Sequence, residues 1–249
     1  MGRKRKNSKR SIVEALLSII IILCIACFQY MNQINEEYPE NKRGKVTMVF
    51  DLSTIPEYTS SPYVEINNNV PYFSEEDYTT EAFENYSEWD DLGRSEVAFA
   101  NICREIMPKD GEERGEIGSV KDLSGWVQKR YDDIIKDKYL YNRCHLIGWQ
   151  LAGENANKQN LITGTRYLNT EGMLPFENLV ANYILSNKNN HVLYRVTPIF
   201  EGDNKLASGV QMEATSVEDK GQGLQFNVYC YNIQPGIIID YATGESYEE

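Results

Sequence analysis

The spacing of hydrophobic and polar positions changes several times along the chain, and each change predicts an element. Residues 15–28 form a near-continuous apolar run, close to the roughly 20 residues that cross a bilayer as a helix, with Glu14 and Gln29 at its ends. Residues 32–46 are polar and charged without periodicity and read as a tether. From Thr47 the pattern becomes globular. Residues 63–67 alternate like a strand, and Asn67, Asn68 and Asn69 close it in a turn. The acidic, aromatic stretch 74–93 predicts surface loops and a short helix. Residues 95–107 have helical spacing that Pro108 ends, and a second helical stretch is predicted around 126–135. Between these two lies a turn-rich, charged patch at 109–118. Tyr139, Leu140 and Tyr141 predict a strand running into residues 142–148, followed by a polar loop. Pro175 marks a helix start, with Phe176, Leu179, Val180, Tyr183 and Ile184 at helical intervals. Beyond Asn189 strands are predicted at 192–200, 209–214, 224–232 and 236–239. The sum is an α+β domain without internal repeats.

Composition adds limits. With 249 residues, 41% of them hydrophobic, the chain carries enough apolar material for one core, which excludes wholesale disorder. Its 17 tyrosines suit half-exposed strand surfaces. Net charge is −12, but the first ten residues hold six Lys or Arg and no acid, so the remainder carries −18. An acidic domain repels polyanions, which argues against tight, static nucleic-acid binding. A bound divalent cation can invert that field at one site.

The basic flank before the apolar run reads as a signal anchor that keeps the amino terminus inside and sends the rest out. Cleavage of the segment, or lipid attachment at Cys27, is the alternative; each places the domain outside the cell. The organisation is therefore a basic N-terminus and anchor at 1–31, a tether at 32–46 and one domain at 47–249. Cys24 and Cys27 read as small apolar residues of the anchor. Cys103, Cys144 and Cys230 are either one disulfide with a free thiol or three buried thiols.

There are two histidines. His191 follows the polar turn at 187–190 and reads as a surface residue. His145 lies near a strand end beside Arg143, with Asn160, Asn169 and Glu177 downstream. These types fit phosphodiester hydrolysis. An attacking water needs a base with a pKa near neutrality, which histidine supplies. The extra negative charge on phosphorus needs a divalent metal or an arginine. Magnesium prefers oxygen and keeps most of its waters, so one or two protein oxygens suffice. An amide such as Asn169 binds without cancelling the ion's charge, and Glu177 could hold a metal-bound water. Arg143 is a candidate phosphate contact, with the alternative of pairing with an acidic neighbour, and Arg114 and Arg166 are further candidates. Glu177 has the alternative of complementing a helix dipole.

At these segments (NRCHLIGWQLAG, KQNLITGTRYLN and MLPFENLVANYI) the chain resembles the DNA/RNA non-specific endonucleases of ββα-metal fold. The likeness is strongest to membrane-anchored and streptodornase-type nucleases of Gram-positive bacteria, and it spans roughly residues 60–241. The family's Asp-Arg-Gly-His signature stands here as Asn142, Arg143, Cys144 and His145. Asn160, Asn169 and Glu177 follow at similar intervals. The resemblance implies His145 as general base, Arg143 and Glu177 as further catalytic residues, Asn160 as support for the site, and Asn169 as ligand to Mg2+ (or Mn2+). It implies a mainly antiparallel sheet with flanking helices. It also implies DNA, and RNA with it, as substrate, with DNA-uptake machinery as a possible partner of the anchored protein.

Rival readings are fewer. Cys144 beside His145 suggests a thiol hydrolase, but neighbours on a strand point to opposite faces. A zinc site lacks clustered ligands beyond the apolar run. A non-catalytic surface module for DNA uptake would keep the fold without needing all four residues. A metal-free ribonuclease using His145 on the 2′-hydroxyl would spare DNA and ignore chelators.

Overall fold

The computed structural model describes residues 52–249. The anchor and tether expected at 1–31 and 32–46 lie outside the described residues. Among the described residues no helix is long and apolar enough to cross a membrane.

In chain order the strands are β1 (Tyr63–Glu65), β2 (Phe83–Tyr86), β3 (Ala98–Ile102), β4 (Tyr141–His145), β5 (Leu161–Thr165), β6 (Val192–Ile199), β7 (Gly209–Ser216), β8 (Gln225–Tyr231), β9 (Ile237–Ile239) and β10 (Ser246–Glu248). The α-helices are α1 (Trp149–Ala152) and α2 (Leu174–Ser186), and a π-helical turn, Leu168–Met173, runs directly into α2. Six strands form one sheet in the order β1-β8-β7-β6-β3-β2, antiparallel at every pairing. β4 pairs with β5 in a separate antiparallel ribbon, and β9 with β10 in another.

Both faces of the large sheet are covered. Its inner face, with Ala98, Ala100, Tyr194, Met212 and Phe226, packs on Cys144, Ile162, Leu168, Phe176 and Val180 of the β4–β5–helix unit. On the outer face, Phe99 and Leu193 pack under Phe73, Tyr78 and Phe83. There Arg195 on β6 and Glu213 on β7, directly opposite in register, form a buried ion pair at 2.7 Å. Glu213 also accepts from the Tyr72 backbone N–H, and Arg195 donates to the Tyr72 carbonyl. The pair therefore fastens the 70s segment to the sheet.

The strands expected after Asn189 are present within a few residues of their predicted limits, as are β1 and the turn at Asn67–Asn69, whose three asparagines all have positive φ. Three helical expectations are corrected. Residues 95–107 contain β3, buried along its whole length, with two strand neighbours. A central strand covered on both faces loses polar–apolar alternation, so its pattern is ambiguous with a helix. Residues 126–135 are turns: the Gln128 side chain bonds both the N–H and the carbonyl of Tyr141, completing the ladder as a strand backbone would. The short helix expected within 74–93 is replaced by turns and β2. The polar loop expected after residue 148 contains α1 and β5, and helix begins ahead of Pro175. Cys103, Cys144 and Cys230 are free and buried.

The ion pair offers a test of the outer face. Arg195→Met leaves Glu213 buried without its cation and should cost about 3–5 kcal/mol in urea unfolding. Adding Glu213→Leu should recover most of the loss; a double variant as unstable as the single would contradict this account.

Candidate active site

β4 sorts its side chains by alternation. Cys144 points into the main core, where it is fully buried and packs on Gly164 of β5. Burial pushes its thiol well above the ordinary range, so the thiolate that nucleophilic attack requires is suppressed. His145, the last residue of β4 and opposite Leu161 in register, lies outside that core cluster with only 5% of its surface exposed.

Two contacts define the ring of His145. Nε2 lies 2.9 Å from the Asn155 carbonyl, which only accepts, so Nε2 carries the hydrogen. Nδ1 lies 3.2 Å from Arg114 Nη2, which only donates, so Nδ1 is the unprotonated nitrogen and accepts from the guanidinium. Burial lowers the imidazole pKa below 6.5 and the Arg114 charge lowers it further, against the Asn155 hydrogen bond. The ring is held neutral, with one basic nitrogen facing the guanidinium.

The chain beyond His145 is held by Asn160. This amide is fully buried; its Oδ1 accepts from the Ile147 N–H at 2.8 Å and its Nδ2 donates to the Ile147 carbonyl at 2.9 Å. Backbone bonding from the Leu146 N–H to the Asn160 carbonyl adds a third tie. With those side-chain bonds made, Asn160 grips backbone and has no surface open to a substrate.

Asn169 lies within the π-helical turn, a local departure from α-geometry that recurs at functional sites. Its Nδ2 points towards Asn142 Oδ1 at 3.5 Å. Its Oδ1 has no hydrogen-bond donor among the described residues, which leaves an oxygen available to a cation. Glu177 follows on α2. Helix continues through its position from residue 166, so Glu177 complements no free helix N-terminus. Its carboxylate sits against Gly148: a Cβ there would lie 2.6 Å from Oε2 and 2.9 Å from Oε1. Burial raises the Glu177 pKa to about 7, against the opposing effects of a Gln150 hydrogen bond and the Arg114 charge. Arg114 thus acts electrostatically on both His145 and Glu177.

The remaining candidates are engaged elsewhere. Arg143 donates from Nε to the Val120 carbonyl, with its guanidinium 4.4 Å over the Trp126 ring. Arg166 pairs with Asp137 at 2.5 Å. His191 pairs with Glu218 at 2.5 Å, far along the chain from β4. Among the described residues no three His, Cys, Asp or Glu side chains gather at metal-binding spacing. The Asn169 Oδ1 is the side-chain oxygen that could hold a divalent ion together with water, the hard ligand type that magnesium accepts. Sequence reasoning missed Asn155, Gln150 and Gly148. A glycine just past a strand signals a close approach for Gly148, but neither of the other two carries a signal of its own.

The site is thus a two-stranded ribbon feeding a helix, with a buried neutral histidine at a strand end and a glutamate on the helix. A model of the DNA/RNA non-specific endonuclease family matches residues 74–218, more than half of the chain, and the protein belongs to that family. It is similar to NucA from Streptococcus agalactiae with no metal bound, at 27% identity and TM-score 0.66, over 80% of this chain and 92% of that one. NucA with magnesium bound matches at 26% identity and 0.65, over 78% and 89%. The Sda1 nuclease with bound zinc shares the fold at 23% identity and 0.63, over 76% and 97%. The chain is accordingly a nuclease that acts on nucleic acid.

Two variants test this geometry. Gly148→Ala should displace the Glu177 carboxylate and raise the magnesium concentration needed for half-maximal activity about tenfold, with little change in melting temperature. Because the folded value of Glu177 lies above its ordinary 4.5, its proton stabilises the metal-free fold fully below about pH 4.5, and that stabilisation is lost as pH rises through 7. In EDTA, Glu177→Gln should therefore gain on the order of 1 kcal/mol relative to wild type at pH 8 and nothing at pH 4. Equal effects at the two pH values would refute the burial account.

Proposed function

We propose that this protein is a membrane-anchored extracellular endonuclease in which His145 is the general base and Asn169 the direct ligand of a magnesium ion, with manganese as a substitute. The observation that carries the reading is the hydrogen bonding of His145. With Nε2–H tied to the Asn155 carbonyl, Nδ1 is the basic nitrogen of the neutral ring, and the attacking water takes the place of the Arg114 guanidinium on it. His145 Nδ1 takes the proton as the water oxygen forms its bond to phosphorus, and the 3′-oxygen departs with the electrons of the broken P–O bond. Arg114, next to that nitrogen, is the cation placed to neutralise phosphate oxygens beside the base. A divalent ion held by Asn169 and waters would supply positive charge to the phosphate and the leaving oxygen.

Glu177, behind Gly148, would help hold the waters around such an ion, whose charge would favour its ionised carboxylate. Asn160 supports the site by holding the turn after His145. Arg143, braced on Val120 and Trp126 two residues before the base on β4, adds positive charge to this end of the ribbon. The machinery grips phosphate and needs neither the 2′-hydroxyl nor base edges, so DNA and RNA are both cut with weak sequence preference. The anchor at 1–31 and tether at 32–46 would present the 47–249 domain outside the cell, where imported DNA is one substrate and uptake machinery one partner. The magnesium in a NucA structure supports the choice of ion.

Plasmid digestion by the full-length chain tests the assignment. Wild type should degrade DNA with magnesium and stop in EDTA, while His145→Ala should lose about 10²–10⁴-fold in rate. The acid limb of the rate profile should fall below pH 6.5, since the folded imidazole holds its proton less tightly than a free one. Plasmid left intact in every condition, yet retained in a shift assay, would make the protein a surface nucleic-acid binder instead.

A further inference from the structure

Asn155 stands between the two groups that the reaction needs side by side. It follows α1, whose C-terminal Gly153 adopts a left-handed conformation (φ 68°) and returns the chain towards β4. The Asn155 carbonyl then reaches His145 Nε2 at 2.9 Å. Its side chain turns the other way: Nδ2 donates to the Glu116 carbonyl at 3.2 Å, in the charged 109–118 segment that carries Arg114. Between Arg114 and Glu116, Gly115 lies so close that a Cβ there would be 2.8 Å from Asn155 Nδ2. Arg114 Nη2 in turn meets His145 Nδ1 at 3.2 Å. The contacts make a closed ring of Asn155 carbonyl, imidazole, guanidinium, 114–116 backbone and Asn155 amide.

We infer that Asn155 is a positioning residue which, by its main chain and its side chain together, sets the orientation of His145 and the place of Arg114 beside it. The inference rests on His145 being the base. A second observation marks the position: Asn155 Oδ1 is buried and has no hydrogen-bond partner among the described residues. A buried acceptor left unpaired is costly, and such costs gather at functional positions. Asp at this position would aim a carboxylate oxygen at the Glu116 carbonyl, so the donor amide is the group that closes the ring. The charged groups about His145 are Arg114 from the 109–118 segment and, through Arg114, Glu177 from α2; Glu154 bonds the ring only through its backbone.

Opening the ring at Asn155 frees the 114–116 segment but keeps the carbonyl on Nε2. Asn155→Ala should therefore lower kcat about 10- to 100-fold, and the acid limb of kcat should move up towards 6.5 as the guanidinium leaves Nδ1. Gly115→Ala attacks the same contact from the other side and should reproduce both changes. In the double variant the added methyl has room, so its loss should be no greater than that of Asn155→Ala alone, the signature of coupled positions. Gly115→Ala also keeps the test alive if Asn155→Ala fails to fold. A fall in kcat with the acid limb unmoved in both variants, or fully additive losses, would overturn the inference and leave Asn155 a stabilising residue only. His145→Ala run alongside separates the two readings. If it retains wild-type rate, the base assignment falls; if it is inactive while the ring variants keep the wild-type limb, the positioning role alone falls.

Discussion

The grip of Asn160 on Ile147 is the interaction on which the rest of the site depends. One buried amide satisfies both the donor and the acceptor of a backbone unit two residues beyond His145. The chain leaving β4 is thereby turned at a defined point, which brings Gly148 under the Glu177 carboxylate and starts α1. α1 ends after a single turn, and the chain comes back to place the Asn155 carbonyl on His145. Removing the amide would leave two buried backbone groups unpaired and release each of those contacts in turn.

Burial performs two opposite electrostatic tasks within this small region. It favours neutral His145 by penalising the imidazolium, and it favours protonated Glu177 by penalising the carboxylate. The first state is the one the proposed base requires. The second is the one that a cation beside the carboxyl would reverse. Arg114 is the group whose charge acts on both.

The large sheet serves this region as a rigid backing. Its inner face packs against the β4–β5–helix unit, so Cys144 and Ile162 anchor the ribbon that carries His145 at its end. A site on an element packed this way is held more tightly than one on a loop. Arg114 is the exception: it comes from irregular chain rather than from a strand, and its segment is tied to the site by one hydrogen bond, from Asn155 to the Glu116 carbonyl.

The sequence by itself determined the chemical inventory. His145, Asn169 and Glu177 could be singled out because their residue types and intervals suit metal-assisted phosphodiester chemistry, and the later strands could be found because long strands with regular turns keep their pattern. Tertiary structure decided what each polar group touches. Asn160 and Asn169 are the same residue type nine positions apart, yet one is sealed around Ile147 and the other keeps an open oxygen. Arg114 and Arg143 both read as phosphate contacts, and packing against Trp126 takes the second away while the first stands on the base. β3 read as a helix because a strand buried on both faces has no polar side to reveal its period. The reason is common to all three: residue type and spacing report local preference, whereas burial and partner are fixed by segments distant along the chain.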